Sequence, residues 1–243
     1  MSIYPQILGV YSLQQASNVG TGGTQGQYDQ VTFWYVRRMN DNDYEVRPLN
    51  AYHVPSGVCT TLEQGVFASQ YVPEPSFYEI HTQPALKSLE AKIVKGEEEF
   101  AKGNLDEAER AFLKALMIDD QNVPANLGVG AVYTEKKEFD KLRKVLKILL
   151  NKDETFAAEQ RQRFNTLGAS LRKQGLHDEA LAYYLKALEN SQDDENLHFN
   201  VARVYFEKGD QMKTIEHLAK CLAINPGLEV AQKFMRHCEK KFK

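Results

Sequence analysis

The 243-residue sequence lacks the signals of several protein classes. It has no apolar run of about 18 residues, and no Lys or Arg precedes Arg37, so neither a membrane-spanning helix nor the basic start of a secretory signal is present. Its three cysteines match no metal-binding or C-x-x-C spacing. A net charge of -3 gives no basic excess for nucleic acid. We expect a cytoplasmic protein with free thiols, no membrane span and no nucleic-acid partner.

Catalytic and metal-binding patterns are missing as well. The six histidines show no H-x3-H or H-E-x-x-H spacing, and no G-x-S-x-G motif occurs. The stretch GTGGTQG at residues 20–26 lacks the lysine of a phosphate-binding loop and leads into a predicted strand instead of a helix. We interpret it as a loop. The sequence therefore predicts no catalytic residue, no metal site, no cofactor and no enzymatic activity.

Composition divides the chain near residue 85. Residues 1–85 contain six of the eight prolines, eight of the twelve tyrosines and the single tryptophan, but no lysine. Such a shift marks two structural units. We predict a small β-rich module over 1–85 and a helical repeat domain over 86–243.

Aromatic and β-branched residues predict the strands of the first module. Residues 30–39 and 44–51 form two such runs around an Asn-Asp-Asn-Asp turn, which indicates a β-hairpin. Pro48 within the second run favours an edge strand. Further strands are expected at 66–71 and 9–13. Three prolines within 71–84 predict an extended strap that links the module to the rest of the chain.

An internal repeat organises the second part. GNLDEAERAFLKAL at 103–116 and GLHDEALAYYLKAL at 175–188 share glycine, Asp-Glu-Ala, an aromatic residue and Lys-Ala-Leu at the same spacing. Weaker copies occur at 137–149 and 209–222. Four units begin at Leu89, Val123, Arg161 and Glu195, spaced 34, 38 and 34 residues apart. A period of this length is typical of stacked helix pairs.

This pattern resembles the tetratricopeptide repeat over residues 89–243. The resemblance implies a mainly α fold, a right-handed superhelical array of about four helix pairs, preceded by the β-rich module. The family pattern of small and aromatic residues is matched by Gly96, Gly130, Gly168, Ala202, Tyr133, Tyr205, Ala108, Ala180, Phe112, Tyr184, Ala115, Ala187 and Pro226. The physical reason is packing, since a small residue lets a helix approach and an aromatic ring fills the space beside it.

The second unit departs most from the pattern. Lys137 replaces the glycine that ends the first helix in the other units, at Gly103, Gly175 and Gly209, where a positive φ is expected. The four extra residues before Arg161 are expected to lengthen a helix at 155–160. After the last unit, an apolar stripe at Leu228, Ala231, Met235, Cys238 and Phe242 predicts a capping helix.

The resemblance also implies a groove lined by the first helix of each pair. Its predicted partner-binding residues are Phe100, Leu127, Thr134, Asn165, Arg172, Lys173, Phe199, Arg203 and Phe206. The basic and aromatic far end suits an extended, acidic peptide. Ile93 and Glu97 stand where family co-chaperones hold a ligand's carboxylate, so that particular ligand is not expected. Alternatively, Phe199 and Phe206 pack on the cap and the face is unoccupied.

We therefore interpret the chain as a non-enzymatic adaptor or scaffold that binds a protein or peptide. Two alternatives stay open. The aromatic run at 33–35 motivates a small-ligand-binding or enzymatic β domain with the array as a docking handle. The third interpretation is a homo-oligomeric structural scaffold.

Overall fold

The computed structural model describes residues 4–19 and 26–241. The chain divides into two compact units, one of residues 1–95 with 113–122 and one of residues 96–112 with 123–243. Apart from Gly26, the GTGGTQG stretch lies outside the described residues. The predicted domain boundary at 85 stays a prediction.

An antiparallel sheet of five strands forms the centre of the first unit, in the order β4-β3-β2-β1-β5. The strands are β1 (Gln6–Val19), β2 (Gly26–Arg38), β3 (Asp43–Pro48), β4 (Thr60–Glu63) and β5 (Tyr71–Pro73). The predicted hairpin is confirmed as β2 and β3. Asn40 holds its turn, because the Asn40 Oδ1 accepts from the backbone N–H groups of Asn42 and Asp43 at 2.8 and 2.9 Å. The strand expected at 9–13 is part of β1.

The core of this sheet is aliphatic and aromatic. Val36 lies opposite Val46, and Leu13 lies opposite Tyr71, so cross-strand neighbours share the buried face. The buried cluster consists of Leu13, Val36, Tyr44, Val46, Phe67 and Tyr71.

The strand predicted at 66–71 is wrong for most of its length. Helix α1 (Gln64–Gln70) occupies it and places Phe67 in the sheet core, and only Tyr71 begins a strand, β5. An apolar run this short fits either periodicity.

The extended strap predicted at 71–84 is also wrong. After β5, α2 (Pro75–Phe77) and a wide turn at Tyr78–Thr82 lead directly into α3 (Gln83–Ala101). Pro75 is the first residue of α2, where the missing N–H breaks no helical bond. The widened turn precedes Pro84, whose ring would clash with a carbonyl four residues earlier in a regular helix.

Pro48 does not mark an edge strand, because β3 lies between β2 and β4. However, β4 pairs only with the part of β3 from Asp43 to Val46. Pro48 lies beyond that pairing, so its missing N–H interrupts no ladder on that side.

A loop of the first unit binds residues 113–122. Asn50 Nδ2 donates to the carbonyl oxygen of Ile118 at 2.8 Å, and Ser56 Oγ donates to Asp119 Oδ1 at 3.0 Å. The end of one helix of the first pair therefore belongs to the sheet-containing unit.

The predicted helix pairs are confirmed. They are α3 with α4 (Leu105–Leu116), α5 (Val123–Glu135) with α6 (Phe139–Leu150), α7 (Arg161–Lys173) with α8 (His177–Asn190) and α9 (Glu195–Lys208) with α10 (Gln211–Ile224). Three helices begin at predicted unit starts, Val123, Arg161 and Glu195. The first helix begins earlier than predicted, at Gln83 instead of Leu89.

Glycine and aromatic residues pack as the repeat pattern predicts. A β-carbon at Gly96 would stand 2.6 Å from the ring of Phe112, and one at Gly168 would stand 2.4 Å from the hydroxyl of Tyr184. Both rings are buried. Only glycine allows the helices of these pairs to approach so closely.

The turns inside the pairs share one backbone conformation. Gly103, Gly175 and Gly209 have φ of 80°, 75° and 80°, as predicted, and Lys137 takes the same conformation with φ of 60°. The second pair therefore keeps its turn without the glycine, at a cost of about 1–2 kcal/mol for a side chain in this region.

The residues before Arg161 do not lengthen a helix. The connection from α6 to α7 instead forms two short 3₁₀ turns, at Asp153–Phe156 and Ala158–Gln160. The ring of Phe156 packs 5.7 Å from that of Phe164 and 5.9 Å from that of Tyr183.

The predicted capping helix is confirmed as α11 (Glu229–Lys241). It buries Ala231 and Cys238 against α9 and α10, beside Cys221. Both thiols are free, and burial raises the pKa of each.

Candidate partner-binding face

We call the exposed side of α5, α7, α9 and the end of α3 the first-helix face. It contains the positions predicted to contact a partner. Phe100 lies on α3, Leu127 and Thr134 on α5, Asn165, Arg172 and Lys173 on α7, and Phe199, Arg203 and Phe206 on α9.

Leu127 and Thr134 are buried, so neither lies on the exposed part of the predicted surface. Leu127 is 1% exposed, and Thr134 is 0% exposed and donates its hydroxyl to the carbonyl oxygen of Gly130 at 2.8 Å. Helix α5 is apolar on nearly all sides, and ten of its residues are buried. That composition is typical of a helix enclosed by its neighbours.

Phe100, which remains accessible, lines a cavity of about 300 Å³ between α3, α5 and α7. Phe112, Gly128, Ala131 and Arg163 also line this cavity. Gly128 is small enough for the ring of Phe112 to reach the cavity.

Most charges on the face are paired between repeats. Arg163 of α7 pairs with Glu97 of α3, and Arg172 of α7 pairs with Glu207 of α9. Glu207 also lies 3.3 Å from His177. These partners are 35 or 66 residues apart, so spacing along the sequence does not reveal them.

Glu135 of α5 is held in the same way from α7. It accepts from Ser170 at 2.8 Å and from Gln174 at 3.3 Å. The first-helix face therefore carries less free charge than its composition indicates.

Arg203 is the exception. Its guanidinium is half-buried and stands 5.8 Å from the ring centre of Phe199. Among the side chains that the structure describes, it forms no ion pair. Burial, followed by the neighbouring Arg172, lowers its pKa. Lys173 is exposed on the adjacent helix.

The capping helix covers part of the predicted aromatic surface. Phe234 of α11 packs 5.1 Å from the ring of Phe206 and 6.0 Å from that of Phe199. Lys241 Nζ lies 4.3 Å from the ring centre of Phe206. The two rings therefore pack on the cap, as one part of the alternative interpretation expects, and the other part, an unoccupied face, stays a prediction. Phe199 also lines a second cavity, beside Asn165 and Asn200.

The aromatic run at 33–35 packs within the first unit. Phe33 stacks on Phe77 with ring centres 4.0 Å apart, and Trp34 packs edge-on against Tyr71 at 6.1 Å. Trp34 Nε1 donates to Thr32 Oγ1 at 2.9 Å. These contacts are those of a sheet's own packing.

Two pairs of histidines form no sequence motif, because their members lie on different elements. His198 and His217 bring their Nδ1 atoms within 3.0 Å, and the rings of His53 and His81 are 5.0 Å apart. Over the part of the chain that the structure describes, no three His, Cys, Asp or Glu residues cluster as metal ligands. Nor does any described helix have the length and apolar character needed to cross a membrane.

Comparison with known proteins identifies the repeats. Residues 89–122 and 162–194 match the sequence model of the tetratricopeptide repeat, and these ranges contain most of the first and third helix pairs. The chain therefore contains tetratricopeptide repeats, and such repeats support a protein-interaction scaffold in general terms.

Solved structures show related helical arrays. The structure reported for pilF of Pseudomonas aeruginosa aligns with a TM-score of 0.51 and 21% identity, over 64% of this chain and 69% of that chain. A crystal structure of MamA aligns with a TM-score of 0.47 and 25% identity, over 60% and 83%. The similarity to pilF shows the fold alone. No curated protein sequence matches the chain.

Proposed function

We propose that the chain is a non-enzymatic cytoplasmic adaptor that binds an extended, acidic segment of a protein partner on the first-helix face. Arg203 is the observation that carries this proposal. A half-buried guanidinium that lacks an ion-pair partner within 4 Å has lost part of its hydration and gains from an anion that replaces it. Arg163 and Arg172 already have acidic partners.

The neighbours of Arg203 favour a peptide as the source of that anion. Phe199 offers an apolar contact beside the cation, and Asn200 offers an amide that both donates and accepts hydrogen bonds. An extended peptide combines a carboxylate, apolar side chains and free backbone groups within a few residues.

A selection from a displayed library of random heptapeptides tests this function. The full-length protein should enrich peptides that contain Asp or Glu. Arg203→Glu should abolish their binding, because it replaces the unpaired cation with a carboxylate that repels the carboxylate of the peptide. Arg236→Glu, an equal charge change at an exposed position on α11, should leave binding intact. If no peptide is enriched, or if the enriched peptides bind Arg203→Glu as well as the unaltered protein, the proposed function is wrong.

A further inference from the structure

The 3₁₀ connection at 151–160 builds a pocket that the repeat pattern alone does not provide. The pocket has a volume of about 210 Å³ and lies between α7, α9 and this connection. Its apolar lining includes Phe156, Phe164 and Phe199. Phe156 belongs to the connection itself, so the longer second unit supplies a wall of the pocket.

The size of the pocket selects a bulky occupant. About 210 Å³ corresponds to roughly seven waters at about 30 Å³ each. The three phenylalanine rings offer water no strong hydrogen bond, so an apolar side chain that displaces the water beside these rings is favoured. A methyl group would leave most of the pocket filled with water.

The charges at the pocket select an uncharged occupant. Arg161 and Asp194 line it together, and they form an ion pair at 3.1 Å. Asp194 also caps α9 by accepting from the backbone N–H groups of Asn196 and Leu197 at 2.9 and 3.1 Å. A charged side chain would enter a site whose own charges are already satisfied and would lose its hydration there.

Amide groups surround the aromatic lining. Asn165, Asn196 and Asn200 all line the pocket, and Asn200 Nδ2 donates to Asn165 Oδ1 at 3.3 Å. Each amide has two donors and an acceptor with two lone pairs, so one such bond leaves further capacity. These groups complement the N–H and C=O groups of an extended peptide backbone.

Arg203 lies one helical turn away from Phe199, which lines the pocket. It follows Phe199 by one turn of α9, about 6 Å along the helix axis, and its guanidinium is 5.8 Å from the Phe199 ring centre. Two residues of an extended chain span about 7 Å. A side chain in the pocket and a carboxylate at Arg203 can therefore belong to residues two positions apart.

We infer that this pocket binds a bulky, uncharged apolar side chain of the partner segment, and that an Asp or Glu two residues away pairs with Arg203. The inference rests on the proposed function and specifies the partner as a peptide with the pattern apolar-x-acidic. Asn196 and Asn200 hydrogen-bond the backbone between the two anchoring residues.

The heptapeptide selection tests the pattern directly. The enriched peptides should share Phe, Leu, Ile or Met two positions from Asp or Glu. Replacing that apolar residue by Ala in a synthetic copy of an enriched peptide should weaken binding about tenfold or more, measured by fluorescence anisotropy with the full-length protein.

A pocket-filling variant tests the location. Ala158 lines the pocket at an exposed position, so Ala158→Phe should occupy the space without disturbing the core. Peptide binding should fall about tenfold, and removing the peptide's apolar residue should then cost nothing further. Ala182→Phe, at an exposed position of α8, should bind normally. Asn196→Ala, also exposed, provides a second variant if Ala158→Phe does not fold.

The outcomes separate the two proposals. If peptide binding is lost with Arg203→Glu but is unchanged with Ala158→Phe, the pocket proposal is wrong and the proposed function stands. The same conclusion follows from unchanged binding with Asn196→Ala if Ala158→Phe does not fold. Enrichment without an apolar residue would lead to the same conclusion. Failure to enrich any peptide, or peptides indifferent to both sites, would overturn both.

Discussion

The ring of Phe112 occupies the place where a β-carbon of Gly128 would stand, 2.3 Å from its nearest ring atom. Gly128→Ala should therefore destabilise the protein by about 1–2 kcal/mol. The strain of overpacking, about 1–3 kcal/mol, outweighs the up to about 1 kcal/mol that alanine gains over glycine in a helix. Urea denaturation followed by circular dichroism measures the change.

Gly65→Ala is the matched control for this substitution. Gly65 lies in α1, and a β-carbon there would meet nothing within 4 Å. Its stability should stay unchanged or rise by up to about 1 kcal/mol. Equal losses in the two variants would contradict the close packing at Phe112.

Lys137 adopts a left-handed backbone conformation that the corresponding turns give to glycine. Lys137→Gly should stabilise the protein by about 0.5–1 kcal/mol, since relief of the strained φ exceeds the extra entropy of glycine in the unfolded chain. The reverse exchange, Gly175→Lys, should destabilise it by a similar amount. Thermal unfolding of both variants checks the prediction, and opposite signs of the shift are required.

The hydrogen bonds of His198 and His217 determine their tautomers. His198 Nε2 lies 3.1 Å from the carbonyl oxygen of Gln192, which accepts only, so this nitrogen carries a proton. With this tautomer, His198 Nδ1 accepts from the Nδ1–H of His217, at 3.0 Å.

The same pair should make stability depend on pH. Burial, followed by His198, lowers the pKa of His217 from 6.5 to about 4. Tyr205 of α9 also faces His217, and Lys213, Glu216 and Lys220 surround it on α10. Because the unfolded chain binds the proton more readily, His217 contributes stability above pH 6.5 that is lost as pH falls towards 4.

Between pH 7 and pH 5, the free energy of unfolding should fall by roughly 2 kcal/mol because of His217. His217→Asn keeps a donor but removes the titration, so this part of the pH dependence should disappear in the variant. Urea denaturation at the two pH values compares them. If the free energy of unfolding changes equally between the two pH values in the variant and in the unaltered protein, His217 is not the source of the pH dependence.

Asn50 should be needed to hold residues 113–122 in the first unit. Asn50→Ala removes the bond to Ile118 and the cap on the backbone N–H of Tyr52, which together should cost about 1–2 kcal/mol. Hydrogen exchange of the amides at 113–122 should accelerate. Asn42→Ala, at an exposed position in the β2–β3 turn, should change neither quantity.

The helix pairs could be predicted because each repeat contains, in its own sequence, the residues that determine where its helices begin and how they pack. Helices begin at Val123, Arg161 and Glu195 as the periodicity requires. The segment 71–84 could not be predicted from its proline content, because the position of each proline in the helix matters more than the number. Pro75 begins α2, and a widened turn accommodates Pro84.

The candidate site was only partly predictable for a different reason. Repeat positions identify which side chains lie on the first helices, but not which charges neutralise each other. The pairing of Arg163 with Glu97 depends on how three repeats stack, and so does the isolation of Arg203. The burial of Leu127 and Thr134 was visible in the uniformly apolar sequence of α5.

The capping helix makes the opening of this end of the array measurable by thiol reactivity. Cys221 and Cys238 are both 0% exposed beneath or within α11, so a thiol reagent reaches them only when this end opens. Their rate of modification reports the frequency of that opening, in the unaltered chain and without any added label. A ligand that stabilises the packing of α9 against its neighbours would slow the modification of these thiols. Its binding would therefore be detectable at a distance from where it binds.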